Sequence, residues 1–125
     1  MIHLDTGFLI RALVRNSSED IKLRTWLRSD TQLGMSSIAW AEFLCGPVEK
    51  NDIALAARLL PAREPFTDED AGLAARLFDI SGRRRTTLMD CMIATVALGA
   101  GASLATSNPE DLRRLEPTGL QIISA

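Results

Sequence analysis

Tyrosine is absent from this chain, histidine occurs once, cysteine twice, and aromatic residues make up only 5% of it. The single histidine, His3, cannot build a His-rich zinc site. Cys45 and Cys91 sit in apolar helical patterns with no CxxC spacing. They are expected to be buried thiols in a reducing cytosol, not a disulfide. With so few aromatics there is no row of platforms on which single-stranded bases stack, so sequence-selective nucleic-acid readout is not visible. No apolar run approaches the ~20 residues that cross a membrane, and the N-terminus lacks the basic flank and cleavage site of a signal peptide. A cytoplasmic protein without membrane contact is the expectation. Repeats, low-complexity tracts and linkers are missing too.

What is present is ordinary for a folded globule: 46% hydrophobic and 24% charged residues in 125, enough for one domain with its own core. The net charge of −2 conceals an imbalance. The only lysines are Lys22 and Lys50, so twelve of the fourteen basic residues are arginine, including the run Arg83, Arg84, Arg85. Arginine suits bidentate phosphate contacts. Abundant arginine and alanine also follow from GC-rich coding, so charge alone decides nothing.

The patterning alternates between strand and helix. Residues 1–5 read as a short buried strand, and 6–14 then turn helical. Ser17 opens a helix whose first turn is acidic. Residues 33–36 are a second strand, 37–44 a helix stopped by Gly46-Pro47, and 52–60 another helix ended by Pro61. A third strand is expected over 64–66. Thr67 caps a helix carrying Leu73, Leu77 and Ile80 that closes at Gly82. A helix over 87–99, a strand over 102–106 and a fifth strand over 120–123 complete the chain. This alternation predicts a three-layer α/β/α sandwich around a mostly parallel five-stranded sheet. The opening Asp5-Thr6-Gly7 also matches the tripeptide of aspartic proteases. Those enzymes are all-β and pair two such loops, whereas helices fill well over half of this chain.

Four acidic positions fit poorly with a plain surface role. Asp5 ends the first strand, between Leu4 and the apolar Phe8, where ligands bind in open α/β sheets; a helix N-cap is the competing reading. Glu42 shares a helical stripe with Ile38, Ala39, Cys45 and Gly46. A carboxylate in that company is unusual unless the stripe is a half-exposed edge. Asp90 lies above Ile93, Ala94 and Ala97, three residues after Thr87. A capping box is therefore compatible with a cation-binding role, since the helix dipole keeps a first-turn acid ionised. Asn108, Glu110 and Asp111 crowd a turn directly after the fourth strand, where plain turn chemistry competes.

If the first and fourth strands are neighbours, one acid from each region converges on one cleft. Crowded carboxylates repel, and a divalent cation relieves them. An all-oxygen donor set points to Mg²⁺ or Mn²⁺, and such ions serve phosphodiester hydrolysis by activating water and stabilising the leaving oxygen. A receiver-type phosphoacceptor domain also gathers acids at strand ends, but it needs a lysine near the last strand, and neither Lys22 nor Lys50 is placed there.

In combination, these segments resemble the PIN domain family, and within it the VapC-type ribonuclease toxins of toxin–antitoxin pairs. MIHLDTGFLI is similar to the family's opening strand with its first acid, Asp5, followed by Thr6. SSIAWAEFLCG resembles the segment of the second acid, Glu42, preceded by Ser36. LMDCMIATVAL resembles the stretch of the third, Asp90, and LATSNPEDLRRL the closing segment. There the chain departs from the pattern: Asn108 stands where some members carry an acid, and Leu112 replaces the usual Phe. The resemblance makes Asp111 the fourth carboxylate, Asn108 an auxiliary that orients water, and Thr6 and Thr106 hydroxyl contacts. It implies a Mg²⁺- or Mn²⁺-dependent endoribonuclease, a homodimer, and neutralisation by a VapB-like antitoxin. A PIN fold that binds RNA without cutting it is the alternative that Asn108 keeps open. Arg83, Arg84 and Arg85 precede the helix of Asp90, either guiding an RNA backbone or forming a solvated loop. Trp40, Phe43 and Leu44 are either a groove for a partner helix or core.

Overall fold

A computed structural model describes residues Met1–Ala125. In chain order the strands are β1 (Ile2–Leu4), β2 (Leu33–Ser36), β3 (Arg63–Glu64), β4 (Ser103–Thr106) and β5 (Ile122–Ser124). The helices are α1 (Thr6–Ala12), α2 (Ser18–Arg28), α3 (Ser37–Cys45), α4 (Lys50–Leu59), α5 (Asp68–Ile80), α6 (Leu88–Gly99) and α7 (Pro109–Leu112). Two 3₁₀ turns, Arg85–Thr87 and Arg113–Thr118, precede α6 and follow α7.

The strands form one sheet in the order β3-β2-β1-β4-β5, and every pairing is parallel. From β1 the chain moves outward through β2 to β3, then crosses back to β4 and β5. With right-handed crossovers, the two directions of travel place helices on opposite faces, which yields the expected three layers. A parallel α/β sheet of this kind has no room for the all-β protease reading of Asp5-Thr6-Gly7.

The position of β4 beside β1 matters most. Leu4 pairs with Ala105, and the Asp5 N–H donates to the Ala105 carbonyl at 3.0 Å. Strand order reverses between these two strands, so their carboxyl ends diverge into a crevice. Behind it the core packs Leu4, Phe8, Met35, Phe43, Leu77 and Leu104, all essentially inaccessible to solvent. Phe8 stacks on Trp26 with ring centroids 5.6 Å apart. Gly34 on β2 is a close-approach position, because a Cβ there would lie 2.9 Å from Cδ2 of the buried His3 ring on β1.

Local chemistry explains most element ends. Ser17, Ser36 and Thr67 accept from the backbone N–H three residues on, and Thr67 with Asp70 completes a capping box. The structure shifts several expected boundaries. β3 runs Arg63–Glu64, not 64–66, because Pro65 has no N–H for the ladder and Phe66 instead donates to Ser37 Oγ at 3.2 Å. β5 is displaced from 120–123 to Ile122–Ser124: Gly119, at φ 97°, closes the 3₁₀ turn, and Leu120 is drawn into the core as its anchor. α4 starts two residues before the expected Asp52. Cys91 is buried as expected, but Cys45 is exposed; it is the last residue of α3, at the rim that Gly46-Pro47 leaves uncovered. Both thiols are free.

Candidate functional site

The crevice at the carboxyl ends of β1 and β4 is a cleft of about 390 Å³. Asp5, Glu42, Asp90 and Asp111 all line it, joined by Thr6, Thr106 and Asn108. They come from four separate stretches of chain, and no lysine, arginine or histidine lines the cleft with them. Glu110, the other acid of the closing turn, pairs with Arg113 at 3.1 Å and does not line it.

Asp5 follows β1 and is half-buried. Its Oδ1 accepts the Phe8 N–H at 2.7 Å, so the capping reading and the cleft reading hold together. Burial raises its pKa above the usual carboxylate range; the Thr106 hydroxyl and the Phe8 N–H oppose that, and nearby Glu42 adds to it. Glu42 projects from α3, and the Thr6 hydroxyl donates to its Oε1 at 2.8 Å. The Thr6 oxygen also lies 3.1 Å from the Ala39 carbonyl, tying the first turn of α1 to α3.

Asp90 is in the first turn of α6 but makes no cap: the Thr87 hydroxyl donates to the Arg84 carbonyl at 2.6 Å. The capping-box competitor is therefore absent, and the carboxylate is left to the cleft. Burial, followed by the negative charges of Asp5, Glu42 and Asp111, raises its pKa from 3.8 to about 6. All three other acids are near enough to oppose its ionisation. Asp111, on α7, accepts the Asn108 side-chain amide at 2.5 Å, so Asn108 is engaged with the fourth acid. The Asn108 N–H in turn donates to Thr106 Oγ1 at 3.0 Å.

The donor set fits a hard divalent cation in kind: carboxylates, hydroxyls and an amide oxygen, with no thiol or imidazole. The site is not closed around an ion, because no three acidic, His or Cys side chains are gathered tightly enough to hold one as they stand. Glu42 and Asp111 are each held by a neighbour's hydrogen bond, from Thr6 and Asn108.

The basic run lies outside the cleft. Arg83 turns back to pair with Asp79, its guanidinium 5.7 Å over the Phe78 ring. Arg84 and Arg85 are exposed on the loop that leads to α6. Of the two readings of Trp40, Phe43 and Leu44, core packing holds for the first two, and Leu44 is exposed. Phe43 is core, and Trp40 packs against Phe43 and beneath the Arg63 guanidinium at 4.3 Å. An apolar groove does adjoin the cleft, but it is lined by Ile38, Ala41, Met89 and Met92, with Glu42 shared between the two. Sequence reasoning also missed Ser107 as a lining residue. Its Oγ sits 2.8 Å from where a Cβ on Gly7 would stand. Only its place between Thr106 and Asn108 hinted at that.

Comparison with known proteins agrees with this architecture. Residues 2–116 match the PIN domain. The chain is similar to a VapBC2 structure from Rickettsia felis bound to a promoter DNA fragment, with a TM-score of 0.76 and 18% identity, covering 100% of this chain and 99% of that one. It is similar to VapBC-1 from nontypeable Haemophilus influenzae, with a TM-score of 0.71 and 24% identity, covering 99% and 98%. FitAcB from Neisseria gonorrhoeae gives 0.73 and 18%, covering 98% and 96%. No curated protein sequence matches.

Proposed function

Because the chain belongs to the PIN domain family, we propose that it is a metal-dependent endoribonuclease, the toxin of a toxin–antitoxin pair acting in the cytoplasm. Residues 1–125 are read as one nuclease domain. The observation that carries the reading is the meeting of Asp5, Glu42, Asp90 and Asp111 in one cleft without a cationic side chain. The solved complexes it resembles include members of the VapBC family of toxin–antitoxin systems, which supports the toxin assignment.

Asp5, Glu42, Asp90 and Asp111 would hold Mg²⁺ or Mn²⁺, which supplies a Lewis acid and activates water for attack on phosphorus. The chain's own contribution is placement. Thr6 aims Glu42, Thr106 sits beside Asp5, and Asn108 holds Asp111. With a pKa of about 6, Asp90 is mostly ionised at neutral pH. Unaided, the acidic cleft repels a phosphodiester, so the substrate backbone can approach only when the carboxylates are neutralised. Arg84 and Arg85, exposed on the approach to α6, are suited to phosphate contacts outside the cleft. The same cation-free cleft would accept an arginine or lysine from a VapB-like antitoxin. A homodimer follows from the family likeness.

The test is to incubate purified protein with mixed RNA, with Mg²⁺, with Mn²⁺ and with chelator, beside an Asp5→Asn variant. Cleavage confined to the metal-containing wild-type samples is expected. Equal cleavage by the variant would assign the activity to a contaminant. One observation favours the rival reading of RNA binding without cleavage: the Asn108 amide occupies Asp111. Metal-independent RNA binding with no cleavage would establish that rival.

A further inference from the structure

Asp90 and Asp111 reach the cleft from segments far apart in the chain, the first turn of α6 and the short α7. Neither segment has a side-chain cap of its own. Both are tied to one residue, Ser81, which caps the C-terminal end of α5 and is 3% exposed. Ser81 Oγ donates to the Phe78 carbonyl at 2.8 Å and stands 3.2 Å from Thr87 Oγ1 and 3.8 Å from Cys91 Sγ. A hydroxyl has one proton. With Ser81 donating to Phe78 and Thr87 to Arg84, the Cys91 thiol is the donor left for Ser81. Cys91 follows Asp90 directly, so its thiol ties the first turn of α6 to Ser81, with the Thr87 hydroxyl packed beside them.

The second half of the joint is Arg114, in the 3₁₀ turn directly after α7. Its Nη1 donates to the Ser81 carbonyl at 3.1 Å, across 33 residues of chain. Gly82 makes room for it: the glycine adopts φ 93°, and a Cβ there would lie 3.4 Å from Arg114 Nη1. Arg114 does not line the cleft. Its place is that of a strut, not a counter-charge.

We infer that Arg114, acting through Ser81, is a positioning residue that sets Asp90 against Asp111 across the cleft, an inference that rests on the nuclease reading above. Outer groups that orient ligating side chains typically carry about 10–100-fold in metal affinity. The test uses Arg114→Ala, Arg114→Lys and Ser81→Ala in the full chain. In metal-free protein, amide hydrogen exchange should quicken in Arg114→Ala at Gly82, Arg83 and Thr87, whose N–H groups donate to the Asp79, Phe78 and Arg84 carbonyls on either side of Ser81, while β1 and β4 exchange as in wild type. Calorimetry should show Mn²⁺ affinity about tenfold weaker, and RNA cleavage should lose kcat at unchanged KM. Lysine at 114 should restore most of both, since one ammonium N–H suffices for one carbonyl. Ser81→Ala should act in the same direction. Arg114→Ala binding Mn²⁺ as tightly as wild type overturns the inference. So does faster exchange spread evenly over the whole chain without rescue by lysine, which marks a merely structural residue. Wild type that neither binds Mn²⁺ nor cuts RNA overturns the nuclease reading itself, and the positioning role with it.

Discussion

Asp90→Asn should make the metal-free protein more stable while removing its activity. The carboxyl titrates at about 6 in the folded chain against an ordinary 3.8. At about 1.4 kcal/mol per pH unit, that difference is worth roughly 3 kcal/mol for a fully buried group. Asp90 is only half-buried, and solvent screening reduces the figure to about 1–2 kcal/mol. A raised folded-state pKa means that the native state binds the proton more tightly. The favourable contribution is complete below 3.8, declines as pH rises, and is lost above about 6. At pH 7.5 wild type therefore carries the full cost of an ionised carboxylate that is half-buried and faces Asp5, Glu42 and Asp111, and the neutral asparagine does not. For a domain of this size the gain corresponds to roughly 4–8 °C in melting temperature. The assay is thermal unfolding by circular dichroism in EDTA, wild type beside variant, from pH 4 to 8. The variant should melt higher at pH 7.5, and the two curves should converge toward pH 4. Saturating Mn²⁺ should reverse the order, raising wild type by about 2.7 kcal/mol at a hundred times its dissociation constant and the variant by less. A variant that melts at or below wild type throughout that range, in EDTA, refutes the claim that burial and the neighbouring carboxylates oppose ionisation of Asp90.

Three further outcomes follow from particular contacts. Thr6→Val removes the hydroxyl that holds Glu42 and should lower RNA cleavage about tenfold by analogy with other outer-shell losses, with circular dichroism spectra unchanged. Phe8→Ala deletes an inaccessible ring stacked on Trp26 and should cost about 3–5 kcal/mol in urea unfolding. Burial, slightly offset by Glu64, lowers the pKa of His3, whose ring nitrogens have no partner. Its contribution is therefore complete above the ordinary 6.5 and is lost as pH falls below it toward the lowered folded value, and replacement by phenylalanine should flatten the stability profile below pH 6.5 in the same unfolding assay.

Local sequence determined the elements themselves. Strand and helix alternation, the caps at Ser17, Ser36 and Thr67, and the stop at Gly46-Pro47 all depend on residues within a turn of one another. So did the suspicion attached to Asp5, Glu42, Asp90 and Asp111, because an acid at a strand end or on an apolar stripe is anomalous whatever surrounds it. Periodicity says which way a side chain faces, but not what stands opposite. Tertiary structure alone decided that β4 lies beside β1, which is what turns four scattered acids into one cleft. It also decided what neighbouring residues leave open: Asp90 is released from capping, Asn108 is committed to Asp111, and Arg83 is turned back onto α5. Cys45 and Trp40 show the same limit, one exposed at a helix end and the other beneath Arg63, an encounter between residues 23 apart in sequence. Hydrogen bonds and Coulomb repulsion act over a few ångströms of space, and only the folded chain brings distant residues within that range.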